Sequence, residues 1–190
     1  MVPVHNLEDF VADAKRRPGE IRYGSSGPYG TLHIAMEMFA ASAGIKLMHI
    51  PFRGAAPALN AILTRTVEAL ASAPGTLKQQ VDDGKMRVLA NWGAERIASF
   101  PDLPTFKERG FKDVEFYIWA GLFAQAALPA PIMTRLREAM ADAVQSEVVI
   151  KTFETAGSPV AYMDAPEFAK FVETDSARLV AAVKRIRRVE

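Results

Sequence analysis

Tyr23-Gly24-Ser25-Ser26-Gly27-Pro28-Tyr29-Gly30-Thr31-Leu32-His33 is the stretch on which the reading of this chain turns. A short extended run leads into it, and an amphipathic helix opens directly out of it. The first N–H groups of a helix have no partner within the helix, and the helix dipole puts partial positive charge there, so a carboxylate or phosphate can be held without any charged side chain. Glycines at 24, 27 and 30 let the backbone approach a ligand, while Ser25, Ser26 and Thr31 supply hydroxyls. Such a loop is built for recognition rather than for breaking bonds.

Upstream of the loop, Asn6 is placed to cap a helix whose first turn carries Glu8 and Asp9, with Leu7, Phe10, Val11 and Ala14 at helical spacing and Pro18-Gly19 at its end. Ile21 to Tyr23 then reads as a strand. Downstream, Leu32, Ala35, Met36, Phe39 and Ala43 line one face of a helix that stops at Gly44, and Ile45 to Ile50 is a second strand. The turn Pro51-Phe52-Arg53-Gly54 leads into a helix from about Ala55 to Leu63; Val67 to Ser72 reads as a third strand, Thr76 to Val81 as a short helix, and Met86 to Trp92 as a fourth, nearly all-apolar strand. This rhythm predicts a mostly parallel α/β sheet with flanking helices. Ligands of such sheets bind at the carboxyl ends of the strands, where the loops at Gly24, at Phe52 and after Ser72 all lie.

Beyond Pro101-Asp102-Leu103-Pro104 and Gly110 a second region begins. Phe116 to Ala124 reads as a long apolar strand; Pro129-Ala130-Pro131 starts a helix through about Gln145 with Ile132, Leu136, Met140 and Val144 on its buried stripe. A helix near Val148 to Thr155 ends at Gly157, Val160 to Tyr162 is briefly extended, and Asp164 caps a closing helix from Pro166 to about Arg187. The basic end, Lys184-Arg185-Ile186-Arg187-Arg188, complements the dipole of that helix.

Composition narrows the function classes. The 190 residues are 49% hydrophobic, enough for a sizeable core, and the net charge is +1, so no global field points to nucleic acid or an anionic membrane. With no cysteine there is no disulfide, thiolate zinc site or cysteine nucleophile. No leader precedes Val2-Pro3-Val4-His5 and no apolar run approaches the roughly 20 residues that span a bilayer, so an exported form would carry its signal outside this sequence.

Taken together, Tyr23-Gly24-Ser25-Ser26-Gly27 with His33 and Phe39, His49-Ile50-Pro51-Phe52-Arg53-Gly54-Ala55-Ala56-Pro57-Ala58-Leu59, Gly84-Lys85-Met86-Arg87-Val88-Leu89-Ala90 and Phe100-Pro101-Asp102-Leu103-Pro104-Thr105 resemble the substrate-binding receptors of tripartite tricarboxylate transporters, the Bug-type periplasmic proteins. The likeness runs in unbroken order from about Val2 to Ile186. It implies a type II periplasmic-binding-protein-like fold, two α/β lobes closing over a small carboxylate. Residues 6–112 would form lobe 2, the ligand-binding α/β domain and nearly complete. Residues 113–190 would supply the hinge strand and the C-terminal helical part of a partial lobe 1. The family usually begins with about a hundred further residues, including a glycine-rich loop for one ligand carboxylate, that nothing here matches. The expectation is therefore a truncated chain whose uncovered apolar surface favours a homodimer or larger. Many relatives carry an aspartate where this chain has Ser72, and a hydroxyl there lowers repulsion of an anion.

The resemblance and the loop chemistry together assign substrate binding to Ser25, Ser26, Gly27, Tyr29, Gly30, Thr31, Gly54, Ala55 and Ser72. The expected function is capture of a small mono- or dicarboxylate in the periplasm for a membrane transporter, without catalysis, cofactor, metal or nucleic acid. Gly24-x-x-Gly27-x-x-Gly30 lacks the spacing and the acidic residue of a dinucleotide fingerprint. His33 and Glu37 stand i, i+4 without the second histidine of a zinc helix, so His33 is expected to pack or hydrogen-bond behind the loop, and His49 to be a satisfied strand residue. At Arg53 the backbone of Gly54 and Ala55 is preferred to the guanidinium as the ligand contact. Trp92, Tyr117 and Trp119 read as hinge or core packing. Two other classes stand as alternatives: the effector-sensing domain of a regulator, which would need a helix-turn-helix segment, and a small-molecule hydrolase built on His33 with Glu37 or a loop serine.

Overall fold

The computed structural model describes residues 4–158 and 160–186. Its elements run α1 (Leu7–Arg16), β1 (Arg22–Ser25), α2 (Thr31–Ala43), β2 (Met48–Pro51), α3 (Ala55–Leu63), β3 (Ala69–Leu70) and α4 (Pro74–Asp82). After a long irregular stretch come α5 (Ala130–Val144), α6 (Glu147–Thr155) and α7 (Ala165–Ile186). The three strands form one parallel sheet in the order β2-β1-β3, with Tyr23 opposite both His49 and Ala69. Each strand is joined to the next through a helix, which parallel pairing requires.

Local chemistry explains the helix ends. The Asn6 side chain accepts from the Asp9 amide at 2.7 Å, and α1 carries Glu8 and Asp9 in its first turn and Lys15 and Arg16 in its last, matching the dipole at both ends. Inside α1, Asp13 is buried, and the Arg17 guanidinium, followed by Arg16, holds its carboxyl below the usual carboxylate range against the opposing effect of burial. The chain leaves α2 at Gly44 with φ 62°, a left-handed C-cap whose amide closes onto Ala40 and Ala41.

Two apolar clusters share α2. One side packs Met36, Phe39, Ala40 and Ala43 into the main core with Leu7, Phe10 and Tyr23. There Phe39 lies 6.3 Å from Phe10 and 4.6 Å from Phe106, ring centre to ring centre. The other side packs Ile34, Ala35 and Met38 against Phe116 and Ala182 of α7. A helix apolar on both sides is a buried helix, and the Trp92 indole fastens it further by donating to the Ala35 carbonyl at 3.2 Å.

Four expectations are corrected. Residues 86–92 form no strand; among the described residues their sheet pairing is one parallel bridge, Asn91 to Thr105. Residues 116–124 form none either: the Phe116 amide donates to Trp92 at 3.1 Å, and beyond it the segment is irregular and exposed, with Leu122 and Phe123 at 65% and 68%. Apolar content marks what a segment can bury, whereas a ladder needs a neighbouring strand, and among the described residues none lies alongside. For the same reason the stripe expected to be buried on α5 is formed but uncovered, with Ile132 and Leu136 at 50% and 40% exposure, and neither α5 nor α6 buries a residue. The extended piece expected at 160–162 is likewise irregular. Elsewhere the differences are small: α4 begins two residues early, at Pro74. Asp164 precedes α7 as expected, with its carboxyl drawn down to about 2, first by its hydrogen bond from Arg137 and then by the Ala165 amide. Arg187 and Arg188 lie outside the described residues. No described helix is long and apolar enough to cross a membrane.

Candidate functional site

Three helices begin where the three strands end. β1 leads through residues 26–30 into α2, β2 through residues 52–54 into α3, and β3 through residues 71–73 into α4. The caps of these helices are Gly30, Gly54 and Ala73, none of which offers a side-chain acceptor, and none of the three helices has an acidic residue in its first turn. Elsewhere in the chain α1 and α6 are capped by Asn6 and Ser146 and carry acidic residues in the first turn, while α5, which follows Pro129, has neither. Along this rim, positive helix ends have therefore been left without internal anions.

Hydrogen bonds tie the loops together. The Phe52 amide donates to Ser25 at 2.9 Å, and the Ala71 amide donates to Gly24 at 3.2 Å, so the β1 loop is held between its two neighbours. Gly24 is closely packed: a Cβ would meet the Phe52 ring at 3.2 Å, so that ring would have to give by a few tenths of an ångström. Gly54 takes φ 115°, a backbone state that side chains resist, and this turns the chain into α3.

Behind the β1 loop stands a cluster of rings. His33 is 2% exposed, and its Nδ1 accepts from the Tyr29 amide at 2.9 Å. The His33 ring stacks on His49 at 3.8 Å and 12°, and Tyr23 packs against His49 at 4.9 Å with its ring centre 6.4 Å from that of His33. The Tyr23 hydroxyl donates to Glu37 Oε1 at 2.5 Å, an oxygen 4.0 Å from His33 Nε2. Ser25 Oγ donates to the Gly27 carbonyl at 3.0 Å and lies 2.7 Å from His49 Nε2. Tyr29 itself has φ 53°, uncommon outside glycine, and its side chain is exposed.

These positions sort the nine residues named from sequence. Ser26, Tyr29 and Thr31 are exposed on the loop, Gly27 and Gly30 half-buried within it, and Gly54 and Ala55 begin α3 beside it. Ser25 is fully buried, so its hydroxyl shapes the loop from behind instead of facing solvent. Ser72 follows β3 on the far side of β1 and lines a separate, largely apolar concavity of about 2010 Å³ that runs past Tyr117, Phe123 and Phe168. That space is larger than the roughly 300–1,000 Å³ usual for a small ligand and omits the Ser25–Thr31 loop, so it does not define the anion site. At α4 the rim is partly covered: a Cβ on Gly75 would fall 2.0 Å from the Ala156 carbonyl, where the turn after α6 arrives. Sequence reasoning placed His33 behind the loop and His49 as a satisfied strand residue, as found; it gave no role to the Tyr23–Glu37 pair. Ser25 with His49 has the spacing of a nucleophile and its base, but full burial of the hydroxyl denies it a substrate. Among the described residues, no group of three or more His, Cys, Asp or Glu is arranged to hold a metal ion.

Comparison with known proteins agrees with this architecture. The family described as the tripartite tricarboxylate transporter family receptor matches residues 1–187. A UPF0065 protein of Cupriavidus necator is 30% identical over 184 residues, covering 97% of this chain and 56% of its own length. The crystal structure of a TctC solute-binding protein from Polaromonas superposes with a TM-score of 0.83 at 30% identity, covering 97% of this chain and 63% of the other. An R. palustris protein solved with adipate gives 0.79 at 25% identity, covering 96% and 61%. The chain thus spans about half the length of the curated relatives it matches. Its α/β fold is that of these periplasmic binding proteins, and the family and these neighbours are solute-binding receptors, not enzymes. The chain belongs to the tripartite tricarboxylate transporter receptor family.

Proposed function

We propose that this chain captures a small mono- or dicarboxylate in the periplasm, on the amides and hydroxyls of Ser26 to Thr31 and of Gly54 and Ala55, for delivery to a tripartite transporter. The observation that carries the proposal is the run of helix ends along one sheet edge, α2, α3 and α4, that lack both capping side chains and acidic first turns. An adipate-bound relative of the same fold supports the choice of anion. In this scheme residues 6–112 are the ligand-binding lobe, with Ser25 and His49 as its scaffold and Ser72 at the margin. Residues 113–190 supply the hinge and the helical part of the second lobe, and closing the lobes over the ligand creates the shape the transporter reads. The exposed Leu122, Phe123, Ile132 and Leu136 support a further proposal, that the chain forms a homodimer or larger through this apolar face.

Isothermal titration of the chain with a panel of carboxylates, including adipate and malate, tests the main proposal. Saturable binding of at least one, lost on esterification of its carboxyl groups, is the expected result. A folded chain that binds none, or binds the esters equally, would refute it.

A further inference from the structure

The hydrogen bond from the Tyr29 amide to His33 Nδ1 is 2.9 Å long and sits behind the loop just described. Tyr29 lies four residues before His33, in the last turn of irregular backbone before α2 starts at Thr31. Its φ of 53° is a conformation that a bulky residue holds only when its surroundings insist on it. Its amide is held by an imidazole that is itself 2% exposed and stacked on the His49 ring at 3.8 Å. A nitrogen accepting from an amide carries no proton of its own, so His33 is neutral with its hydrogen on Nε2.

We infer that His33 is a positioning residue for anion capture: its Nδ1 holds Tyr29 in the left-handed conformation that turns the remaining amides of residues 26–31 outward, and protonation of that nitrogen releases the loop. The inference rests on the proposed carboxylate site and adds to it a dependence on pH. The groups facing the ring are Glu37 from α2, 4.0 Å from Nε2; His49 from β2, stacked on it; Tyr23 from β1, with ring centres 6.4 Å apart and its hydroxyl on Glu37; and Tyr29 from the loop, at 5.6 Å. Glu37 favours the imidazolium, whereas burial, the stacked second imidazole and the Tyr29 amide on Nδ1 favour the neutral ring. A second proton can enter only at Nδ1, the position that the Tyr29 amide occupies. Acid therefore acts at the nitrogen that orders the loop.

Two substitutions separate this role from mere packing. His33→Leu removes the acceptor. His33→Asn keeps an oxygen near the Nδ1 position but cannot titrate, and it preserves the test should the leucine variant fold poorly. Affinity for adipate and malate is measured by titration calorimetry across about pH 8 to 5, the range in which a histidine changes charge. Exchange of the Tyr29 amide is followed by NMR in the ligand-free chain. The expected results are a loss of about three- to tenfold in affinity and of Tyr29 amide protection in the leucine variant. The asparagine variant should bind within about threefold of the parent at pH 8 and lose the parent's extra weakening in acid, the titration of the probes themselves being common to both. Equal affinity and equal Tyr29 protection in parent and leucine variant would overturn the inference while leaving the carboxylate site standing. Equal losses in both variants would overturn it too, by showing that shape alone matters. If the parent binds neither probe, the proposed function falls, and Tyr29 exchange alone decides whether His33 orders the loop.

Discussion

Filling the α2 helix end from within should strengthen the fold and weaken capture at once. Gly30 caps α2 with φ −75° and ψ 167°, a conformation open to any residue, and a Cβ there would meet only the Gly27 carbonyl, at an ordinary 3.6 Å. Gly30→Asp therefore introduces no strain and places a carboxylate at the start of α2, where the present cap offers no side-chain acceptor. Relative to glycine an aspartate cap gains a few tenths of a kcal/mol, and its charge on the helix dipole adds about 0.3–1 kcal/mol. For a chain of this size that raises the melting temperature by about 1–4 °C. The same carboxylate competes for the amides a ligand would use and repels it: two unit charges about 4 Å apart cost ~1 kcal/mol in water and ~4 kcal/mol near a protein surface. Affinity for adipate should then fall by about fivefold to a thousandfold, more at low salt than at high. Thermal unfolding followed by circular dichroism gives the first quantity and calorimetric titration the second. A variant that melts lower than the parent, or one that melts higher yet binds adipate unchanged, would show that these amides are not the anion site.

Other expectations follow from the core, the buried acid and the exposed apolar face. Phe39→Ala removes a ring packed between Phe10 and Phe106 and should cost about 3–5 kcal/mol, read as a lower urea midpoint with an unchanged slope. The Asp13 carboxyl is held below its ordinary value by Arg17 and Arg16, so its contribution is complete above that value and is lost as acid drives the pH down through the folded one. Asp13→Asn should accordingly lower stability by about 1–3 kcal/mol at neutral pH and much less at pH 2, measured by urea unfolding at both. Replacing Leu122 and Phe123 together by serine should shift the chain toward monomer in light scattering after gel filtration; an unchanged mass distribution would refute self-association through this face.

How much was legible in the sequence depended on whether the cause was local. Asn6 before Glu8 and Asp9, Gly44 after an apolar run, and the glycines around Ser25 are local signals, and α1, α2 and the β1 loop follow them closely. The alternation of strand and helix gave the parallel sheet, and the four motifs gave the family. The expected strands at 86–92 and 116–124 failed because hydrophobicity carries no information about whether a partner strand lies alongside. Within the site, glycine spacing and hydroxyls singled out the loop after β1, whereas the bond from the Tyr29 amide to His33 Nδ1 formed no part of that reading. That Ser25 turns inward to His49 was not readable, because it depends on the register Tyr23 to His49 between two strands more than twenty residues apart.

The two-sided burial of α2 has a mechanical consequence. Its 13 residues make a stiff rod about 20 Å long. The near end presents the amides assigned to the ligand, and one flank bears on Ala182 in the closing helix. Whatever shifts α7 must either slide past Ile34, Ala35 and Met38 or take the rod with it, and close packing leaves little allowance for sliding. The loop after β1 and the closing helix are thus geared to one another through a single shaft.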